Sequence, residues 1–487
     1  MNFLALVPAV LMALFGCATL ILDVVSPRAQ GEPRENGWIL SLNVSGQILI
    51  AYSFVRQWQA LRLDATGGIV ALQGAITIDA LSLFTNAVVW LAVAVLLAIS
   101  YRYLEIVREH RGEYYALAVF AQCGMYLMAS AVDLIALFIG LELTALSFYI
   151  LVGFTRADRR SNEAALKYLL LGALSSGFVL YGFSLLYGAT GSTELADIST
   201  VVAQSRSSHP SLIVATVAIV VGLLFKVSAA PFHTWAPDAY DGAPTPITGY
   251  LSVASKVASF AVLIRLLSGP LAAAQSSWKP LLSAIAVASL TIGSIAAITQ
   301  DRLKRLFAYS GIAHAGYLLL GFVAGSPLGA EGIYVYLLVY AIMNLGAFSV
   351  LTALRRRGIS GDYVSDLRGL SQTYPAHAAL FAILLLSLAG IPPTAGFIAK
   401  YFIFAALIQT HHITLAITAA AYVVVSLYYY FRLVREMYLE PVEQREPLAA
   451  STGVRFALTV TASLTLLLGL FPEPVLTNAL LVAGVRR

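Results

Sequence analysis

The chain has 487 residues, 59% of them hydrophobic and only 11% charged, with a net charge of +5 and a mean hydropathy of +0.82. Ordinary soluble domains carry roughly 25% charged residues, so the composition excludes a soluble enzyme. The basic excess sits in short loops between apolar runs, which is the pattern of membrane topology and not of nucleic-acid binding.

The apolar runs are continuous and not alternating, which excludes a β-barrel and predicts an all-α polytopic membrane protein. Hydropathy predicts about fourteen transmembrane spans of ~20 residues each. In chain order they cover 2–22, 38–56, 78–101, 114–130, 132–154, 163–188, 211–232, 246–267, 280–299, 303–323, 331–354, 376–408, 412–432 and 452–470. Turn chemistry at Ser26-Pro27, Thr66-Gly67-Gly68 and Gly191-Ser192 separates several of them. Asp133, between the fourth and fifth runs, is placed to cap a helix start.

Basic residues follow the odd-numbered spans: Arg102, Arg108 and Arg111; Arg156, Arg159 and Arg160; Arg302, Lys304 and Arg305; Arg355 to Arg357; Arg432, Arg435 and Arg445. The positive-inside rule puts those loops in the cytoplasm and both termini on the other side of the cell inner membrane.

Two spans are broken by their own sequence. The seventh meets Ala229-Ala230-Pro231, and the twelfth meets Gly390-Ile391-Pro392-Pro393. Proline frees a carbonyl and cannot donate, so both spans are expected to unwind there, with the unwound backbone buried against protein or water. Taking spans 4–8 and 9–13 as two five-helix units puts each break fourth in its unit, and an odd helix number inverts the second unit. The expected organisation is a three-helix segment over 1–113, a first five-helix proton-channel repeat over 114–267, a second, inverted repeat over 268–436 and a C-terminal helix over 437–487.

Four ionisable residues lie deep inside apolar runs: Glu142, Lys226, Lys256 and Lys400. A charge at bilayer depth costs at least ~2.5–3.5 kcal/mol, so such residues mark an ion or proton path by default. Lys256 is about ten residues from either end of its run, too far for a lysine stem to snorkel out. Glu142 and Lys226 suit a tunable pair, because burial and a nearby carboxylate act on a lysine in opposite directions. A static buried ion pair that only locks helices is the plainer alternative. His233, after the first break, and His314, within the tenth span, are candidate relays. Tyr309 and Ser310 lie within a turn or so of His314 and are placed to extend a hydrogen-bonded wire. Lys167 is a further relay candidate, although it stands four residues after Glu163 as a surface pair would.

Only Cys17 and Cys123 are present, and no CxxC, Cys/His cluster, Walker A, HExxH or strand-linked GxGxxG occurs. No cofactor and no metal is therefore expected in this chain.

The stretch FKVSAAPFHTWAPDAYDGAPTPITGYLSVASKVA at 225–258 resembles the signature of the antiporter-like membrane subunits of respiratory complex I, NADH–quinone oxidoreductase. Its APTPITGYLSVASK segment is closer to the subunit N branch than to branches L and M. FIGLELTALSFYILVGF at 138–154, EAALKYLLLGALSSG at 163–177, RLKRLFAYSGIAHAGYLLLG at 302–321 and LAGIPPTAGFIAKYFIF at 388–404 extend the resemblance over the whole chain. The resemblance implies fourteen helices in two inverted five-helix repeats, with helices seven and twelve broken. It also implies a proton-translocating role for Glu142, Lys226, Lys256 and Lys400. Lysine at 400 agrees with subunit N, where branch M has glutamate, and a long lateral helix of the branch L type is not expected. FMN, iron–sulfur clusters, NADH and quinone would then be bound by other subunits, and neighbouring antiporter-like and small membrane subunits would be the partners. The alternative is a subunit of a multisubunit cation/proton antiporter or of a membrane-bound hydrogenase-type complex, which shares the ancestry and the lysines. A purely structural spacer in a membrane arm is the remaining class, and the retained lysine row speaks against it.

The arginine asymmetry makes a direct prediction. A cysteine placed at Arg356 is expected to resist an impermeant thiol reagent in intact cells and to react after permeabilisation; labelling in intact cells would reverse the topology.

Overall fold

The computed structural model describes residues 3–26, 37–64, 68–204, 210–355, 361–441, 448 and 450–473. The turns expected at Pro27 and Thr66-Gly67, and the basic residues Arg356, Arg357 and Arg445, lie outside the described residues. Eleven described helices are long and apolar enough to cross a membrane. With Gly112–Ser130 and the two broken spans they account for all fourteen predicted spans.

The first six spans are Val7–Val25, Gly37–Leu63, Ala80–Val107, Gly112–Ser130, Leu134–Val152 and Arg159–Thr190. Span seven is Pro210–Lys226, an irregular stretch at 227–234, then the half-helix Trp235–Gly242. Span eight covers Thr245–Ser268. Spans nine to eleven are Ala272–Ile298, Leu303–Ala324 and Pro327–Leu354. Span twelve consists of the half-helices Pro375–Ala389 and Ala395–Gln409, and Ile413–Tyr438 and Thr452–Leu470 complete the chain. Both predicted breaks are therefore present. Ala229 and Ala230 are fully buried, whereas Pro231, Pro392 and Pro393 are exposed on this chain. The backbone at Ala229 and Ala230 is thus covered by protein, and the proline rings lie at the surface of this chain. One further element lies between the predicted spans: Leu195–Gln204 is a helix because Leu195, Ile198 and Val202 recur at helical spacing and are buried.

The chain forms two compact units. One comprises Met1–Leu97, Glu109–Val227 and Ala254–Leu281; the other comprises Ala98–Arg108, Ser228–Val253 and Leu282–Arg487.

In the first unit, small residues bring backbones together, as packing in lipid requires without a hydrophobic drive between helices. A Cβ on Gly124 would lie 2.8 Å from the Gly140 carbonyl, and one on Gly140 would lie 2.8 Å from the Gly124 carbonyl, so spans four and five touch main chain to main chain there. Polar groups then fix the register. Gln47 and Gln122 exchange amide hydrogen bonds at 2.7 and 3.1 Å, Gln57 donates to the Tyr126 hydroxyl at 3.1 Å, and Asn43 donates to Thr19 at 3.1 Å. These groups are neutral, so they bind spans one, two and four to each other without offering a titrating site.

At one end of this unit the hairpin Ile69–Ala71/Ile76–Ile78 is extended by 131–134 and 193–195. Val132 donates to Ala75 at 2.9 Å, and Leu195 donates to Val132 at 2.9 Å. Asp133 caps span five through the amides of Ile135 and Ala136, at 2.8 and 3.0 Å, as its position predicted. Arg265 closes this end with a fork onto Asp79 at 2.8 and 3.1 Å and a third bond to the Ala129 carbonyl at 2.6 Å.

In the second unit, spans ten and eleven are the core, each with 94% of its apolar window buried. Their loop end is held by charge: Arg302 with Asp241 at 2.8 Å, Arg305 with Asp238 at 2.6 Å, and Arg432 with Asp301 at 2.5 Å. The first two pairs tie the half-helix Trp235–Gly242 to the start of span ten.

Arg265→Ala leaves the Asp79 carboxylate and the Ala129 carbonyl without their donor. Bonds to charged groups contribute about 1.5–3 kcal/mol each, so the variant is expected to unfold several degrees earlier in detergent. Melting at the wild-type temperature would show that this fork does not hold the end of the unit.

Candidate functional site

The predicted residues fall into two groups, one in each unit. In the first unit, span five carries Glu142, the first half of span seven ends at Lys226, and Lys256 opens the regular part of span eight. Lys226 is 8% exposed and Lys256 2%, so neither stem reaches solvent. The Lys226 ammonium donates to Ser176 Oγ at 3.4 Å. Among the described residues no ion pair joins it to Glu142, although the carboxylate acts on it electrostatically. A permanently locked pair is thus not what the structure holds. Lys256 follows a π-helical turn at Leu251–Ser255, a local widening that occurs mostly at functional positions.

In the second unit, the break in span twelve builds a site around Lys400. Gly390 ends the half-helix Pro375–Ala389 in the left-handed region, φ 90°, and its amide closes back on Leu386 and Ser387 at 3.1 and 2.9 Å. The Leu388 and Ala389 carbonyls are left without amide partners in a continuing helix. Lys400 folds back over the glycine and donates to both, at 3.1 and 2.7 Å. The carbonyl end of a half-helix carries partial negative charge, so it stabilises the ammonium as well as being satisfied by it. The same ammonium stands 5.1 Å from the centre of the Tyr317 ring, a cation–π contact in a desolvated place.

From Tyr317 the polar groups continue along spans ten and eleven. His314, one turn back, meets the Tyr317 ring at 6.5 Å. Its two ring nitrogens reach the Tyr336 hydroxyl at 2.7 Å and the Tyr430 hydroxyl at 3.2 Å. Tyr430 also bonds Ser310 at 2.5 Å. On the other side the His314 ring lies 5.2 Å from that of Tyr340. Asn344 donates to the Tyr340 hydroxyl at 3.2 Å and to Ser252 Oγ at 2.8 Å. Ser252 lies in the π-helical turn, four residues before Lys256 in sequence. The members are hydroxyls, an amide and an imidazole that both donate and accept, and Tyr317 and Tyr340 meet His314 through their rings.

Other predictions land elsewhere. Tyr309 does not join His314 and Ser310; its ring instead faces His233 at 6.4 Å. Lys167 pairs with Glu163 at 2.8 Å with both side chains about half exposed, so the structure places it on the outer face of span six. Sequence reasoning missed Tyr336, Tyr340 and Asn344, although polar residues at i, i+4 and i+8 in an otherwise apolar span are a legible stripe. It also read Lys304 only as a topology marker. Lys304 is 6% exposed and donates to the Ala243 carbonyl at 2.9 Å, at the foot of the second half of span seven.

Gly390→Ala tests the span-twelve site. A Cβ there would sit 2.8 Å from Lys400 Cδ and 3.1 Å from Nζ, on a backbone that L side chains avoid at ~1–2 kcal/mol. The variant is expected to lower thermal stability by at least that much and to displace the ammonium. Wild-type stability would mean that this glycine carries no constraint.

The geometry has close counterparts. Residues 131–426 match the family model described as NADH:quinone oxidoreductase/Mrp antiporter, TM. The chain is 53% identical to NADH-quinone oxidoreductase subunit N 2 of Solibacter usitatus, covering 98% of this chain and 96% of the relative. It is 45% identical to NADH-quinone oxidoreductase subunit N 1 of Koribacter versatilis over 97% and 93%. Among solved structures it superposes on a chain of respiratory complex I from Thermus thermophilus with a TM-score of 0.81 and 32% identity, covering 96% and 98%. It shares its fold with a chain of the Mrp complex from Dietzia, TM-score 0.83 at 20% identity over 99% and 97%. The chain belongs to the antiporter-like membrane subunits of NADH–quinone oxidoreductase, in the subunit N family.

Proposed function

We propose that this chain is a proton-translocating subunit in the membrane arm of an NADH–quinone oxidoreductase, and that its own part in the reaction is to move protons and not electrons. The observation that carries the reading is the Lys400 site. A buried ammonium is held by the freed carbonyls of a broken span and faces the Tyr317 ring, beside a cluster of amphoteric groups around His314 that continues through Tyr340 and Asn344 to Ser252. A merely structural cation does not need such a neighbourhood. The family membership selects this complex over the Mrp type, because the 53% identity is to a subunit N and the likeness to the Mrp chain is at the level of fold.

In this reading Lys226 is the central switch and Glu142 modulates it. When the carboxylate is drawn toward Lys226 the ammonium is favoured; when it moves off, the buried lysine releases its proton. Lys256 and Lys400 pass protons on, His314 acts as a relay, and His233 and Tyr309 form a second contact pair. NADH, FMN, the iron–sulfur clusters and the quinone belong to partner subunits, and neighbouring antiporter-like and small membrane subunits flank this chain. Both termini face the non-cytoplasmic side of the cell membrane.

Lys226→Arg separates the switch from a structural cation. Arginine keeps the charge but does not release a proton at accessible pH. In proteoliposomes containing the assembled complex, Lys226→Arg and Lys226→Ala are both expected to lower the number of protons moved per NADH. A wild-type ratio for Lys226→Arg would remove the switch role from this lysine.

A further inference from the structure

Beside Glu142 stands a group that the reading above leaves unused. Tyr149 lies on the same face of span five, seven residues on, and is 6% exposed. Its hydroxyl is buried and has no hydrogen-bond partner, and neither has Glu142 Oε1. An orphaned buried hydroxyl costs about 1–3 kcal/mol, so it is expected to have a partner in another state of the protein.

The shared face of span five says which partner. Ser161 Oγ donates to the Val152 carbonyl at 2.8 Å, which pairs these two antiparallel positions. The Tyr149 hydroxyl rests against Gly172, where a Cβ would stand 2.0 Å from it. Tyr149 stands about two helical turns after Glu142, and long side chains in helices lean toward the helix start, so the phenol points along span five toward the carboxylate. The carboxylate of Glu142 acts electrostatically on both Tyr149 and Lys226. Ser176, which receives the Lys226 ammonium, is one turn beyond Gly172 on the same face of span six. Tyr168, one turn before Gly172, braces the tyrosine ring edge-on at 4.8 Å.

We infer that Tyr149 is a positioning residue for Glu142, its hydroxyl donating a hydrogen bond to the carboxylate when the latter is drawn off Lys226, with Gly172 as the notch that admits it. Glu142 then has two definite places, near the lysine and on the tyrosine, and the hydroxyl sets the balance between them. Gly172 leaves room for the phenol and for no larger neighbour. The inference rests on the proton-site reading of Glu142 and Lys226.

The test uses the assembled complex. The carboxyl stretch of Glu142 is identified in infrared difference spectra of turnover by its loss in Glu142→Gln. Tyr149→Phe, which removes one oxygen atom, is expected to move that band to higher wavenumber and to change the balance between the two carboxylate places by about tenfold, seen as a lower proton yield per NADH. Gly172→Ala, which displaces the hydroxyl but keeps it, is expected to move the band the same way. A band left in place in Tyr149→Phe overturns the inference, whether or not the proton yield falls, because a loss of packing alone lowers yield without touching the carboxyl. If Glu142→Gln itself pumps at the wild-type ratio, the proton-site reading fails first; if only Glu142→Gln is impaired and Tyr149→Phe is not, the tyrosine role alone fails.

Discussion

The site depends on one interaction, a lysine ammonium laid against the carbonyl end of a broken helix. Breaking a helix inside a bilayer exposes carbonyls that lipid cannot satisfy. Burying a lysine there leaves a charge that lipid cannot solvate. At span twelve each problem answers the other, because Lys400 donates to Leu388 and Ala389 and receives the partial negative charge of the half-helix. Gly390 is what lets the side chain lie across the break. Lys226 occupies a related place, as the last residue of the first half of span seven. There its ammonium reaches across to Ser176 on span six instead of back to its own carbonyls. The two lysines share a local logic and differ in how firmly they are held.

This difference bears on mechanism. Lys400 has two carbonyl partners and an aromatic face, an arrangement that tolerates the charge but gives the proton little competition from a carboxylate. Lys226 has one long hydroxyl contact and feels the charge of Glu142 without pairing with it, which is the arrangement the proposed switch requires. Between Lys400 and Ser252 the second unit places hydroxyl, amide and imidazole groups, the proposed relay. His314 is the member whose ring nitrogens have hydroxyl partners on two different helices, Tyr336 on span eleven and Tyr430 on span thirteen. A carbonyl or an aliphatic hydroxyl alone would not connect three helices at one point.

Much of this was legible in the sequence, for definable reasons. Hydropathy gave the fourteen spans because a bilayer imposes one length and one solvent on all of them. Pro231 and the Pro392-Pro393 pair gave the breaks because proline removes a donor whatever surrounds it. The four buried charges announced themselves by being misplaced. What was not legible is partnering across helices. Tyr309 and Ser310 are adjacent in sequence, yet one faces His233 and the other bonds Tyr430, because consecutive residues point about 100° apart on a helix and meet different neighbours. Tyr336, Tyr340 and Asn344 form a stripe that the sequence shows, but what the stripe faces is visible only once His314 is packed against it. Lys304 looked like one more loop cation, and its burial follows only from the fold of the 241–243 and 362 segments over it.

The central claim is that the buried ammonium at the span-twelve break carries protons and is not only a cap for freed carbonyls. The direct measurement is the number of protons translocated per NADH by the reconstituted complex with Lys400→Arg, assembled normally. Arginine can still cap Leu388 and Ala389 and still face Tyr317, but it holds its proton. The account predicts a reduced ratio with the cap intact. A wild-type ratio would contradict it and leave Lys400 as a structural plug.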